Sequence, residues 1–411
     1  MKKVKHTNRM IVFLCAVAYF ASYFSRKTFA AVMAEMLVEK IIDRPTGASI
    51  GVALFIFYGA GQLISGILGD KISPKYLMSV GLLVSGVCNL LLPLVPPWAM
   101  IAVWAVNGFA QALLWPPIVR ILAENLSHEK YVTANLIVTC GAHVSTILLY
   151  LYTPLCIRYM SWRAVFFSST VFSIVVGIIF LVAMSIVLGK EEKGTSASDA
   201  KITPSTSLYR VFSESGIIPV FLAIVAMGFM RDGIESWLPT LYSEAFGVST
   251  EESTLVSVVL PIFAIISVFL VRAIHKKPLF NNESTGSLVL FGISTVLCLA
   301  LGILIKIDEK AIRIVCLLLA AITSALMHSC NFLLISCLPG RFAGTGRSAT
   351  VGGFCNACTY VGSAISMYGI AFISERSWSA TAILWSAICL MGVGFACLAY
   401  GRYTKFVKSN V

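Results

Sequence analysis

The sequence predicts an all-α polytopic membrane protein, with twelve transmembrane helices arranged as two pseudo-symmetric six-helix bundles. Three observations carry that prediction. Hydrophobic residues make up 58% of the 411 residues and charged residues only 12%, about half the charged share of an ordinary soluble protein. The apolar residues fall in long runs, and about 20 mostly apolar residues are needed to cross a bilayer. The longest polar stretch lies at the centre of the chain and leaves six apolar runs on either side. This composition excludes a disordered chain, a fibre, a small disulfide scaffold and a water-soluble enzyme.

The spans are predicted at 10–35, 48–69, 77–95, 98–122, 131–157, 164–188, 216–243, 252–274, 286–305, 311–336, 347–372 and 378–400. Residues 1–188 then form an N-terminal bundle and residues 216–411 a C-terminal one. Residues 189–215, opening Gly189-Lys190-Glu191-Glu192-Lys193-Gly194-Thr195-Ser196, read as a flexible cytoplasmic linker. Other loops are short; Pro96-Pro97 nearly suffices to join spans 3 and 4.

The net charge of +12 would suggest nucleic acid in a soluble protein. Here the basic residues sit in short loops, so the positive-inside rule is the better account and no nucleic-acid partner is expected. Twelve spans put both termini on one side. With Arg120, Arg272, Arg313 and Arg347, which fall at span ends, counted on the side they border, that side carries 20 Lys and Arg and the other 8, while Arg26, Lys27 and Arg231 lie deeper inside spans, accounting for all 31. Both termini are therefore expected in the cytoplasm, in the inner membrane of a cell. Met1-Lys2-Lys3 leads into a span too long for a cleavable signal peptide, and no small-residue cleavage motif follows.

Most of the 12 cysteines, among them Cys15, Cys88, Cys140, Cys298, Cys316, Cys355, Cys358 and Cys389, fall within apolar spans and read as small hydrophobes. Cys355 and Cys358 have CxxC spacing but no second pair. No metal cluster, phosphate-cradling glycine loop or nucleophile–base set is evident, so neither a cofactor nor an enzyme activity is expected.

The chemistry lies in the charges inside spans. In span 1, Tyr19, Tyr23 and Arg26 follow i, i+4, i+7 spacing and share a helix face. An arginine inside a membrane is costly and persists where it faces water or a partner. The plainer alternative ends the span at Ser25 and treats Arg26-Lys27 as a snorkelling flank, but Met10 to Ser25 is short and apolar sequence resumes to Val38. Span 7 carries Arg231, followed by Asp232 and by Glu235 one turn on. An intrahelical ion pair between Arg231 and Glu235 is possible, and simple mutual neutralisation of the three is the plainer alternative. Arg26 and Arg231 are 205 residues apart, half the chain, each in the first span of its half. This spacing suggests internal duplication. A duplicated transporter places its substrate near the midplane, between halves. Two guanidiniums suit a dianionic phosphate, whose oxygens match their planar forks. An empty site would hold two uncompensated cations, and a bound phosphate would cancel them and let the halves close, making exchange obligatory.

Several motifs resemble the organophosphate:phosphate antiporter family of the major facilitator superfamily. Tyr23-Phe24-Ser25-Arg26-Lys27-Thr28-Phe29 resembles that family's first helix. Gly66-Ile67-Leu68-Gly69-Asp70-Lys71-Ile72-Ser73-Pro74-Lys75 resembles the superfamily's loop between helices 2 and 3. Asn107-Gly108-Phe109-Ala110-Gln111-Ala112-Leu113-Leu114-Trp115-Pro116-Pro117 resembles helix 4, Ser161-Trp162-Arg163 the start of helix 6, and Arg231 with Trp237-Leu238-Pro239-Thr240 helix 7.

The resemblance implies the major facilitator fold and exchange of a sugar phosphate or glycerol 3-phosphate for inorganic phosphate by rocker-switch alternating access. It implies that Arg26 and Arg231 grip the phosphate, that Tyr19, Tyr23 and Tyr58 line the cavity, and that His143 sits beside the anion. A membrane histidine can also change charge near neutral pH, although a lone one is more often a packed polar group. Lys27 would pair with Asp232 or Glu235 in a bridge that breaks and reforms, and Asp70 with Lys71 and Lys75 would latch cytoplasmic loops.

The sequence departs from the family at three places. Span 8 has no acid short of its ends, so one expected partner for the helix 1 basic pair is missing. Gln62 stands where some members carry a lysine four residues after the helix 2 tyrosine, which removes one positive charge from the substrate site. Gly228 stands three before Arg231, where the glycerol-phosphate transporter has an aromatic. Tyr360 with Asn356, and Asn331 with His328, could contact substrate or simply pack; Asn107 and Gln111 could be interhelical hydrogen bonds. Trp115-Pro116-Pro117 should bend helix 4.

Two other functions fit the same residues. One is a transporter-like sugar-phosphate sensor that signals to a partner; the other is a proton-coupled carrier of organic anions. The expected partners are a small anion and the lipid bilayer, with the chain a monomer.

Overall fold

The computed structural model describes residues 2–69, 72–126, 128–188, 212, 215–274, 282–307, 309–345 and 348–409. Asp70, with its expected latch, and nearly all of 189–215 lie outside the described residues. The chain divides into two units, Met1–Ala200 and Lys201–Val411. The described residues are almost wholly helical and contain no strand. This follows from the bilayer: a helix satisfies all its backbone hydrogen bonds internally, where no water is available.

The first unit holds α1 (Lys2–Val38), α2 (Arg44–Gly69), α3 (Pro74–Leu91), α4 (Pro97–Ala112), α5 (Trp115–Asn125), α6 (His128–Tyr159) and α7 (Trp162–Leu188). The fourth span is α4 and α5 together. The chain breaks at Leu113–Leu114 because Pro116 and Pro117 lack the N–H groups that would continue α4, yet fit the first turn of a new helix. Outside the spans, Asp43 opens α2: its carboxylate accepts from the Thr46 hydroxyl and from the Thr46 backbone N–H at 2.9 Å, which holds its pKa below the usual carboxylate range.

The second unit holds α8 (Ile218–Phe246), α9 (Thr250–Val256), α10 (Val259–Ile274), α11 (Glu283–Leu304), α12 (Lys310–Asn331), α13 (Ser348–Ser374) and α14 (Trp378–Ser409). The eighth span is α9 plus α10. The tenth is α12, which widens into a π-type turn over Phe332–Cys337 and then tightens over Leu338–Thr345. Eleven spans among the described residues are long and apolar enough to cross a membrane on composition alone. The twelfth is α8, about 44 Å long for its 29 residues. It is long enough, but it carries Arg231, Asp232, Glu235 and Glu244.

Packing within the two units repeats. In the first, α1 packs on α6 and α7, α2 on α4, and α3 on α7. In the second, α8 packs on α13 and α14, α10 on α12, and α11 on α14. A side-chain clasp repeats as well. The Trp162 indole donates to Glu39 Oε2 at 2.9 Å, tying the start of α7 to the end of α1. The Trp378 indole donates to Glu244 Oε2, also at 2.9 Å, tying the start of α14 to the region near the end of α8. Glu39 and Glu244 are 205 positions apart, the same interval as Arg26 and Arg231.

The α8–α13 contact accounts for Gly228. A Cβ there would lie 2.1 Å from the Thr359 carbonyl oxygen, and one on Gly362 would lie 2.0 Å from the Val225 carbonyl oxygen. Small residues let the two backbones touch, as is common between membrane helices. Position 228 is thus given to helix packing and cannot hold an aromatic. Gly228→Val or Gly362→Val should force these helices apart, at a cost of about 1–3 kcal/mol or more. Thermal unfolding of the detergent-purified protein would read this as a lowered midpoint, and an unchanged midpoint would contradict the contact.

Candidate functional site

Each unit builds one buried guanidinium into a span, by different means. In α1 the i, i+4, i+7 face forms as the spacing predicts. Tyr19 and Tyr23 meet edge to face with centroids 5.0 Å apart. The Arg26 guanidinium carbon lies 4.1 Å from the Tyr58 ring centroid on α2 and 5.6 Å from that of Tyr23. Trp115, at the start of α5 just after the chain break, packs on Tyr19 at 5.1 Å. A desolvated cation over an aromatic face gains about 2 kcal/mol, which offsets part of the cost of placing it in a span. Such contacts use the faces of the guanidinium, whereas its N–H bonds lie in its plane.

The neighbouring side of α1 fixes the rotation of this face. Ser22, Ser25 and Thr28, at i, i+3, i+6, enter a buried polar seam with α3 and α4. Gln111 accepts from the Ser22 hydroxyl and donates to Ser25 Oγ at 3.1 Å and Ser85 Oγ at 2.7 Å. Ser85 donates to Asn107 Oδ1 at 2.7 Å. Asn89 donates to the Ser25 carbonyl at 3.1 Å and accepts from Thr28 at 2.8 Å. Asn107 and Gln111 are interhelical ties, and the seam sets which way Arg26 points. Gln62 reaches the Ala112 carbonyl at 3.5 Å, a long contact that links α2 to the end of α4. His143 is buried on α6, which packs along α1.

In the second unit, Arg231 is held by hydrogen bonds. Its Nε and Nη2 donate to the two carboxylate oxygens of Asp232 at 3.0 and 2.8 Å. Its Nη1 donates to Asn331 Oδ1 on α12 at 2.7 Å. Asp232 also accepts from the Ser363 hydroxyl of α13, beside the Gly362 contact. Tyr360, half-buried, stands nearly one turn before Ser363 on the same helix.

Two sequence expectations meet the structure here. The hydrogen bonds of Arg231 along its own helix go to its neighbour Asp232, one of the three charges in the mutual-neutralisation alternative. Ser363 fixes the Asp232 carboxylate where the long arginine side chain can fold back on it side-on, while His328 of α12 takes Glu235 at 2.6 Å. In addition, Arg231 is not an uncompensated cation, because Asp232 neutralises it. An arginine has five N–H donors. The three bonds above leave two of them for a further acceptor.

Sequence reasoning missed the seam and the repeated Trp–Glu clasp. The first was signalled by the small hydroxyl residues at 22, 25 and 28, the second by Trp378 following Ser377 as Trp162 follows Ser161.

With this geometry in view, the comparisons with known proteins fall into place. Residues 15–367 match the Major Facilitator Superfamily, and the chain belongs to that family, which groups it with membrane transport proteins and not with enzymes. A probable hexose phosphate transport protein of Chlamydia trachomatis is 27% identical over 183 residues, 44% of this chain and 40% of that protein. The glycerol-3-phosphate transporter of Bacillus subtilis is 25% identical over 260 residues, 58% of each chain. The membrane sensor protein UhpC of Salmonella typhimurium is 30% identical over 129 residues, 31% of this chain and 29% of that one. The chain thus spans less than two thirds of the length of these relatives. Among solved structures, the nucleoside transporter NupG superposes with a TM-score of 0.70 at 13% identity, over 96% of this chain and 99% of that one; it speaks for the fold alone.

Asp232→Asn leaves the Arg231 charge buried without its counter-ion and should cost about 3–5 kcal/mol. Adding Arg231→Gln removes the stranded charge and should recover most of that loss. Thermal unfolding of the single and double variants would test the pair, and additive losses would refute it.

Proposed function

We propose that the protein is a secondary active transporter. It exchanges a phosphorylated small metabolite, of the sugar-phosphate or glycerol-3-phosphate type, for inorganic phosphate by rocker-switch alternating access. The observation that carries this reading is a pair of span-buried guanidiniums at positions 205 apart in a repeated fold, each oriented by its own surroundings. The hexose phosphate and glycerol-3-phosphate relatives support the substrate class.

In this reading Arg26 and Arg231 are the two cationic ligands of the phosphate. Arg231 uses the N–H groups that Asp232 and Asn331 leave, so the anion joins an existing ion pair without having to break it. Arg26, held against the Tyr58 and Tyr23 rings, is the second cationic ligand. Tyr19, Tyr23, Tyr58, Gln62, His143 and Tyr360 complete the lining. Lys27 exchanges partners with an acid of α8 during the cycle. The proposed setting is the inner membrane, as a monomer with both termini cytoplasmic and without a cofactor.

A second reading, a sugar-phosphate sensor, is favoured by the likeness to UhpC. The two separate cleanly, since a sensor binds sugar phosphate but exchanges it slowly or not at all.

Counterflow into phosphate-loaded liposomes tests the proposal. The wild type should take up labelled phosphate and sugar phosphate. Arg26→Lys and Arg231→Lys should each abolish exchange while the protein still inserts, because an ammonium replaces the planar fork with a point charge. Normal exchange by either variant would refute its role. His143→Gln should alter the pH profile of exchange, and an identical profile would remove His143 from the site.

A further inference from the structure

The bond between Arg231 and Asn331 does more than tie α8 to α12. A guanidinium can only donate, so the atom that meets Arg231 Nη1 at 2.7 Å must be the amide oxygen of Asn331. That contact settles which way round the amide stands. Its nitrogen, bound to the same carbon, is held beside the guanidinium and turned away from the shared bond. It carries two N–H donors, and neither has an acceptor among the described residues. Asn331 and Arg231 are both partly exposed, whereas Asp232 and Ser363 are buried. The open side of this cluster therefore belongs to the two residues that still have donors to give.

A brace between helices does not call for an amide. An aspartate at 331 would hold the guanidinium more strongly, since charge-assisted hydrogen bonds are about twice as strong as neutral ones. It would also set a second carboxylate against Arg231 and offer no donor. Asparagine accepts from Arg231, adds no charge and keeps its N–H groups. The backbone marks the same place. Asn331 is the last residue of α12, and the π-type turn over Phe332–Cys337 begins directly after it. Single π-type turns within helices are frequent at functional sites.

The arrangement distinguishes anions by shape. A phosphate group presents three oxygens and a carboxylate two. The two N–H groups left on Arg231 can each meet one oxygen, and a third oxygen needs a third donor. Asn331 supplies it. A carboxylate has no oxygen for that donor, and a site built to hydrogen-bond a group rejects an analogue that leaves its own polar atoms unpaired.

We infer that Asn331 is a direct ligand of the bound anion through its amide N–H groups, and that it favours a tetrahedral phosphate over a planar carboxylate of equal charge. The inference rests on the transport reading for the placing of the anion at Arg231, and adds a ligand and the selectivity it confers.

The test is equilibrium binding of inorganic phosphate and of malonate to the full-length protein in nanodiscs, at a pH where both are dianions. The wild type should prefer phosphate by about tenfold or more, the worth of one hydrogen bond to a charged group. Asn331→Asp keeps an acceptor for Arg231 and removes the donors, and Asn331→Leu keeps the size and removes both. Each should lower the ratio of phosphate to malonate affinity by about tenfold or more. The charge added by Asn331→Asp weakens both dianions, so the ratio isolates the lost donor. An unchanged ratio in either variant would make Asn331 a tie between helices only, and would overturn the inference with the transport reading intact. Equal binding of the two anions by the wild type would overturn it without any variant. A wild type that does not bind phosphate would overturn the transport reading and this inference with it.

Discussion

A positive charge in hydrocarbon must be compensated, and the compensation chosen at each arginine governs much of what surrounds it. Arg231 has a carboxylate beside it. That carboxylate needs its own support, which comes from Ser363. Ser363 can reach it because glycines let the backbones of α8 and α13 meet. Arg26 rests over the rings of Tyr58 and Tyr23, and a polar seam along the neighbouring side of α1 holds the helix at the required rotation. Much of the unusual composition near both sites, from the glycine at 228 to the serines at 22 and 25, follows from these two needs.

The two arrangements differ electrostatically as well. Aromatic faces attract a cation without cancelling its charge, whereas a carboxylate cancels it. The two repeats share a framework, with the same helix packing and the same tryptophan–glutamate clasp, and differ in the groups set against each arginine: aromatic rings at Arg26 and a carboxylate at Arg231.

The architecture was open to reading because hydrophobic runs and basic loops are local features. The aromatic face on α1 was also legible, since i, i+4, i+7 spacing fixes a helix side regardless of tertiary context. The partner of Arg231 was not. Asp232 and Glu235 are both within reach along the helix, and the choice between them is made by Ser363 and His328, which are 131 and 93 residues away from the acids they engage. The meaning of Gly228 was hidden for the same reason, because a missing side chain carries no sign of the backbone that fills its place. The seam could have been found, since hydroxyl residues at 22, 25 and 28 recur every three residues along one side of α1.

That seam also bears on biogenesis. The nascent chain delivers its first span to the bilayer well before the third and fourth have been synthesised. Until Ser85, Asn89, Asn107 and Gln111 arrive, Ser22, Ser25 and Thr28 can satisfy themselves only against their own helix backbone, and Arg26 lacks the second helix's tyrosine as well. The opening span is thus an incomplete guest of the lipid, and it gains its lasting place when later helices are threaded in beside it. For such a protein, the order of translation is a part of how it folds.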